Sequence, residues 1–216
     1  MSAAREILTL YAVTDRRWCG EQCLKDQVEA AIKGGVTCVQ LREKDMNDKD
    51  FLAEAIEIKS LCDKYDVVFI VNDNVEVALK CEADGIHVGQ SDMEASKVKD
   101  LIYEDMILGV SATNMQEALA AQKAGADYLG VGAVFPTDTK DDAKAVKPRE
   151  LRAICQAVDI PVVAIGGITS RKMLKLAGTG IAGVAVVSAI FSAKNIESKA
   201  HSMFLRANKL FGQDNA

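Results

Sequence analysis

Histidine is nearly missing from this chain, with two among 216 residues, and prolines number only three. No apolar run approaches the roughly 20 residues that a membrane-spanning helix needs. The amino-terminal MSAAREILTLYAVTD has no basic segment followed by a long apolar stretch, so neither a span nor an export leader is expected, and a cytoplasmic location is. There is no excess of basic charge: 26 lysines and arginines face 31 aspartates and glutamates, a net charge of −5. That balance disfavours nucleic acid and anionic membrane as partners, while leaving room for a local basic pocket that binds a small anion. Low-complexity linkers are absent too, so residues 1–216 read as one domain. No Ser/His/Asp or Cys/His triad pattern stands out.

What is present reads as an ordinary globular interior. Apolar residues make up 49% and charged residues 26%, close to the globular average, which excludes disordered and fibrous classes. Cysteines at 19, 23, 38, 62, 81 and 155 are scattered through apolar patterns and read as reduced core residues rather than a disulfide framework. Cys19 and Cys23 form the one close pair, and with no histidine nearby they lack the further ligands of a zinc site.

Short β-rich apolar runs recur along the chain: LYAVTD, CVQLRE, VVFIVND, GIHVG, ILGVS, YLGVGAVF, VVAIGG and GVAVVSAI. Between them lie segments with three-to-four-residue apolar spacing, such as VEAAIKGG, FLAEAIEIKSLCDKY and RELRAICQAV, several ending at glycine as helices do. Eight βα units predict an α/β fold, the (β/α)8 TIM barrel, with a doubly wound open sheet as the alternative. Phrases such as CEADG and KAGAD read as turns entering strands. Pro136, Pro148 and Pro161 fall at a strand end, a helix start and a strand entrance, where a missing N–H does little harm.

In such a barrel, chemistry collects at the carboxyl ends of the strands. Alternation on the second strand points Gln40, Arg42 and Lys44 at the axis or mouth. Cations there need a counter-charge, either a bound anion or an internal pair with Glu43 or a neighbouring Asp. The same phase argument places Gly109, Ser111, Gly130, Gly132, Ala164 and Gly166 inward, leaving room for a ligand, with Val163 and Ile165 outward. Asn72 and Asp73 end the third strand and Asp92 follows the fourth. Two carboxylates on adjacent strand ends suit a hard cation that also takes phosphate oxygens, or else serve as a helix cap and a helix-start charge. Thr137, Thr139 and Lys140 offer two hydroxyls and an ammonium to phosphate oxygens. The glycine-containing loops after strands seven and eight sit where this fold commonly binds phosphate. His87 has inward phase near Asp92 and reads either as a core histidine or as a substrate contact, whereas His201 lies in the last helix and needs no functional account.

The ordered set LYAVTDR, GGVTCVQLREK, VNDNVEVAL, ADGIHVGQSD, GVSATN, GADYLGVGAVFPTDTK, PVVAIGGI and AVVSAI resembles the thiamine phosphate synthase family, from about residue 9 to residue 194. The resemblance implies a (β/α)8 barrel. It also implies a transferase that joins hydroxymethylpyrimidine diphosphate to thiazole phosphate, or its carboxylated form, giving thiamine phosphate and diphosphate with magnesium (Mg²⁺). By position, it carries over Gln40, Leu41, Arg42, Glu43, Lys44, Asn72, Ser111 and Lys140 as contacts of the pyrimidine diphosphate. Asp73 and Asp92 become magnesium ligands, and Thr137, Asp138 and Thr139 with Gly167, Val187 and Ser188 receive the thiazole phosphate. Arg42, Lys44, Ser111 and Lys140 are the implied catalytic residues. After Lys140 the segment DDAKAVKPREL lacks a Pro-x-Gly-Leu phrase of many members, and LAGTGIAG departs from the usual Ala-Gly-Ala-Asp-Gly strand entrance. Two other readings remain: a related thiazole tautomerase, although Ser111 is followed by Ala112 and Thr113 rather than by an acid/base histidine, and a non-catalytic thiamine phosphate binding protein.

Overall fold

The computed structural model describes residues 5–20, 22–137 and 145–212. Eight parallel strands close into a barrel in sequence order: β1 (Leu10–Val13), β2 (Cys38–Leu41), β3 (Val68–Asn72), β4 (Gly85–Val88), β5 (Ile107–Ala112), β6 (Tyr128–Gly132), β7 (Val162–Ile165) and β8 (Gly183–Val186). β1 pairs with both β2 and β8, and this closes the ring. The crossovers are α1 (Leu24–Lys33), α2 (Asp48–Lys64), α3 (Val75–Lys80), α4 (Ala95–Leu101), α5 (Met115–Lys123) and α6 (Pro148–Ala157). A 3-10 helix at Lys172–Leu176 replaces the seventh, and α7 (Ser188–Phe191) and α8 (Ile196–Phe211) end the fold. The expected (β/α)8 barrel is the observed one. Among the described residues, no helix is long and apolar enough to cross a membrane.

Each helix buries the stripe that its spacing dictates. In α1 the buried positions are Leu24, Gln27, Val28, Ala31 and Ile32, one face of a 3.6-residue period. α8 buries Ile196, Ala200, Met203, Ala207 and Phe211 and packs against α1, where a Cβ on Gly34 would meet the Glu197 carbonyl and the Ala200 side chain. Asparagine starts four of these helices, with Asn47, Asn74, Asn114 and Asn195 each accepting a hydrogen bond from the backbone N–H three residues on. At the amino-terminal face, aspartates of the turn phrases bond to backbone. Asp84 accepts from Phe69 N at 2.7 Å and Asp127 from Leu108 N at 2.8 Å, so each turn pins the start of the preceding strand.

Outward strand residues such as Val39, Leu41, Val71, Leu108 and Leu129 form one large core with the helices, while Tyr11, Cys38, Ile70, Tyr128, Val163 and Ala185 fill the barrel itself. Three cysteines are buried and all six are free thiols. The β7 phase is opposite to the expected one: Val163 and Ile165 face the interior, and Ala164 joins the outer core. The run VVAI is apolar throughout and carries no alternation, and the phase comes from pairing, since Gly130 lies beside Val163. The β5 glycine also differs from expectation. Gly109 leaves no room for a ligand because the Tyr128 ring lies over it, whereas Gly130 lines the cavity at the mouth, where a Cβ would sit 3.0 Å from His87 Cε1.

Gly109→Ala would therefore drive a methyl group into a fully buried phenol ring. The variant is expected to lose roughly 1–3 kcal/mol of stability, measured as a lower urea midpoint at unchanged slope. An unchanged midpoint would contradict this account of the interior.

Candidate active site

A cavity of about 760 Å³ opens at the carboxyl ends of the strands, within the size range of small-molecule sites. Gln40, Arg42, Lys44, Asn72, Asp73, Asp92, Ser111, Thr137, Gly167, Val187 and Ser188 all line it. Asp138, Thr139 and Lys140 lie outside the described residues. At the opposite face, a recess of about 180 Å³ is lined by Glu104, Asp105 and Asp127 with apolar neighbours and no basic side chain, which makes it a poor anion site.

Two of the expected contacts have side chains that lie away from the cavity. Leu41 is fully buried in the outer core, its side chain directed away from the mouth. Glu43 also points outward, where its carboxylate accepts from Arg16 Nε at 3.0 Å beside Glu54. Burial pushes the Glu43 carboxyl up to about 7, with Arg16 opposing and Glu54 adding to the rise. Both residues occupy the phase opposite to Gln40, Arg42 and Lys44, so strand alternation decides the outcome.

Glu43 is therefore no partner for the inward cations, although the charge of Arg42 reaches Asp15 and Asp73. Among the described residues, Arg42 and Lys44 form no ion pair. The alternative of an internal pair with Glu43 fails because Arg16 holds that carboxylate. A cavity with two such cations at its wall suits an anionic ligand.

The carboxylates behave differently. Asn74 performs the capping that Asp73 could have taken, accepting from Val77 N at 3.0 Å. Asp73 itself holds a left-handed φ of 64°, an uncommon conformation that aspartate tolerates better than most residues. It lines the cavity with Asp92, whose Oδ2 accepts from Gly89 N at 2.7 Å and shapes the turn after β4. α4 starts only at Ala95, so Asp92 does not head it. The Asp73 carboxyl is raised from 3.8 to about 6, by burial first and then by its hydrogen bond to Asp92 and the charge there; Asn72 and Arg42 pull the other way. Two facing carboxylates in a partly buried site repel each other, and the charge of Arg42 offsets this only in part. A divalent cation such as magnesium fits this donor set, since it takes one or two carboxylates and fills its remaining positions with phosphate oxygens and water.

Opposite the cations, the β7 and β8 loops bring bare backbone to the cavity. Gly166 and Gly167 have φ of 100° and 59°, and a Cβ on Gly167 would collide with the Pro136 carbonyl. Lys172 Nζ donates to the Gly167 carbonyl at 2.9 Å and lies 5.2 Å from the Phe135 ring centroid, bracing this loop. Nothing in the local sequence distinguishes Lys172 from the chain's other lysines.

Below the mouth, a polar chain crosses the interior. Gln40 Nε2 donates to the Tyr11 hydroxyl at 2.7 Å, Tyr11 and Tyr128 share a hydrogen bond of 2.8 Å, and Tyr128 meets His87 Nδ1 at 2.9 Å. His87 Nε2 is 2.9 Å from Ser111 Oγ. Sequence reasoning missed Tyr11 and Tyr128. Their only signal is a tyrosine hydroxyl on strands whose other residues are apolar or glycine, a buried polar tip that must find a partner.

Comparison with known proteins gives consistent matches. A family model described as thiamine monophosphate synthase matches residues 10–190. The thiamine-phosphate synthase of Ruminiclostridium cellulolyticum is 52% identical over 195 residues, covering 90% of this chain and 93% of the relative. That of Methanobrevibacter smithii is 52% identical over 188 residues, covering 87% and 90%. The solved thiamine phosphate pyrophosphorylase from Pyrococcus furiosus superposes with a TM-score of 0.90 at 36% identity, over 96% of this chain and 99% of that one.

The Asp73–Asp92 pair predicts a pH signature for protein kept in chelator. A carboxyl raised in the folded state contributes stability that is complete below its unfolded value of 3.8 and is lost as pH rises through about 6. Asp92→Asn removes the like charge and keeps an oxygen for Gly89 N. It should match the wild type in stability below the lower value and exceed it above the upper one, as read by urea unfolding across pH. Parallel curves for the two proteins would rule out the coupling.

Proposed function

This chain belongs to the thiamine monophosphate synthase family, and from that premise we propose how its cavity performs the reaction. It is an enzyme, a transferase that forms thiamine phosphate. We infer that it joins hydroxymethylpyrimidine diphosphate to thiazole phosphate or its carboxylated form, and that the six free thiols fit work in the reducing cytoplasm. The observation that carries the reading is the convergence, on one cavity, of Arg42 and Lys44, which form no ion pair among the described residues, with the Asp73–Asp92 carboxylate pair.

Arg42 and Lys44, at the end of β2, would bind the diphosphate and favour the charge that grows on it as the carbon–oxygen bond breaks. The bonding electron pair leaves with the diphosphate oxygen. The aminopyrimidine ring spreads the positive charge left on its methylene, and the thiazole nitrogen supplies the lone pair for the new carbon–nitrogen bond. No covalent nucleophile is required. Asp73 and Asp92 would hold magnesium, which when bound adds positive charge beside the diphosphate oxygens. Gln40, Asn72 and Ser111 would orient the pyrimidine half, with Lys140 assigned to the diphosphate by its place in the sequence. Thr137, Gly167, Val187 and Ser188, together with Asp138 and Thr139, would receive the thiazole phosphate. The apolar walls supplied by Val163, Ile165 and Ile168 would exclude water, which would trap the cation.

The direct test mixes both substrates with magnesium and follows thiamine phosphate by its fluorescence after oxidation; absence of product would refute the substrate assignment. Arg42→Ala is expected to reduce turnover by about 10²–10³-fold, and calorimetry should show weaker binding of the pyrimidine diphosphate with thiazole phosphate binding largely retained. Asp73→Ala should abolish turnover while leaving a folded protein by circular dichroism, and full activity in chelator would eliminate the metal role.

A further inference from the structure

The interior chain has a direction. Gln40 uses an N–H on Tyr11, so Tyr11 accepts there and has one proton to pass on. Burial holds both phenols far above their usual range, so each keeps its single proton. Tyr11 then donates to Tyr128 across 2.8 Å, and the Tyr128 proton is directed to His87 Nδ1 at 2.9 Å. A neutral imidazole whose Nδ1 accepts carries its hydrogen on Nε2, and Nε2 faces Ser111 Oγ at 2.9 Å. Ser111 accepts that hydrogen and is left with its own O–H to offer. Gln40 has one of its two amide N–H bonds on Tyr11, and with Nε2 held there its Oε1 is the acceptor it can turn to a ligand. Both residues line the cavity.

From this we propose that Tyr11 and Tyr128 are positioning residues that hold His87 as its Nε2–H tautomer, and so present a Gln40 acceptor and a Ser111 donor to the pyrimidine substrate. The seats of the two rings support this. Gly109 accommodates the Tyr128 ring and Gly130 the His87 ring, so both rings are pressed into one arrangement by strands that have no side chain there. A reversed chain would turn the Gln40 amide, protonate Nδ1 and remove the Ser111 donor, exchanging the two ends. The cavity would then favour a ligand of opposite donor and acceptor pattern. Substrate polarity at this end is thus set through Tyr128, which does not line the cavity.

The tautomer is directly measurable, because the chain has only two histidines and His201 lies on the outer helix α8. In ¹⁵N-histidine-labelled protein without ligand, His87 should show a single tautomer with the proton on Nε2 and a pyridine-like Nδ1. Tyr128→Phe, which retains the ring, should convert this to a mixture of tautomers. Tyr11→Phe, one step further back, serves if the first variant fails to fold, with the same expectation. A wild-type Nδ1–H signature, or an unchanged His87 spectrum in a folded variant, overturns the proposal. The kinetic arm rests on the proposed function: Tyr128→Phe should lower kcat/KM for the pyrimidine diphosphate by about 10-fold, the effect of one charge-neutral hydrogen bond, with KM for thiazole phosphate unchanged. Equal losses for both substrates also count against it. If the wild type makes no product, the substrate reading fails while the tautomer measurement still decides the positioning claim.

Discussion

Pairing of β1 with β8 is the contact on which the rest of the molecule depends. It removes the sheet's edges, and it forces every second side chain of eight strands into a common interior whose polar groups have no solvent to turn to. The lower part of that interior is filled by Leu8, Ile70 and Ala182. Higher up, each polar group must bond another, and the line from Gln40 to Ser111 meets that demand with one partner handing on to the next. Only at the mouth, where the strands stop, do charges appear.

At the mouth the same closure sorts charge by strand phase. On the β2 extension, Glu43 faces outward to Arg16, which separates it from Arg42 and Lys44 on the inward side. One strand position later or earlier would have joined these groups into surface ion pairs and left the cavity without positive charge. After β3, the asparagine cap removes a local obligation from its neighbour Asp73, whose carboxylate is consequently available to Asp92 and to a cation. Helix capping and ligand charge are thus divided between adjacent residues, and the binding group does not need to support the fold as well.

The barrel and most of the cavity could be read from the sequence because their signals are local. Repeating βα units give the architecture, and alternation on QLREK separates Arg42 from Glu43 as soon as it is applied strictly; the inclusion of Leu41 and Glu43 as contacts came from a continuous stretch of resemblance that alternation divides. Less was legible where a signal depends on a neighbour in space. The uniform VVAI run has no phase of its own and takes it from β6. Gly109 looks like vacant space along the chain, and only the closed barrel shows that a ring from β6 occupies it. Lys172 reaches the Gly167 carbonyl from a 3-10 helix whose spacing announces nothing about the mouth.

The aspartates beneath the barrel, Asp84 and Asp127, tie each turn to the second residue's amide in the strand before it. Cohesion is therefore anchored at one pole and reactivity at the other, some four to six residues of strand away. Loops on the upper pole are free to drift in composition over evolutionary time without unfastening the staves, which makes this end the natural place for the chain to acquire altered ligand preferences.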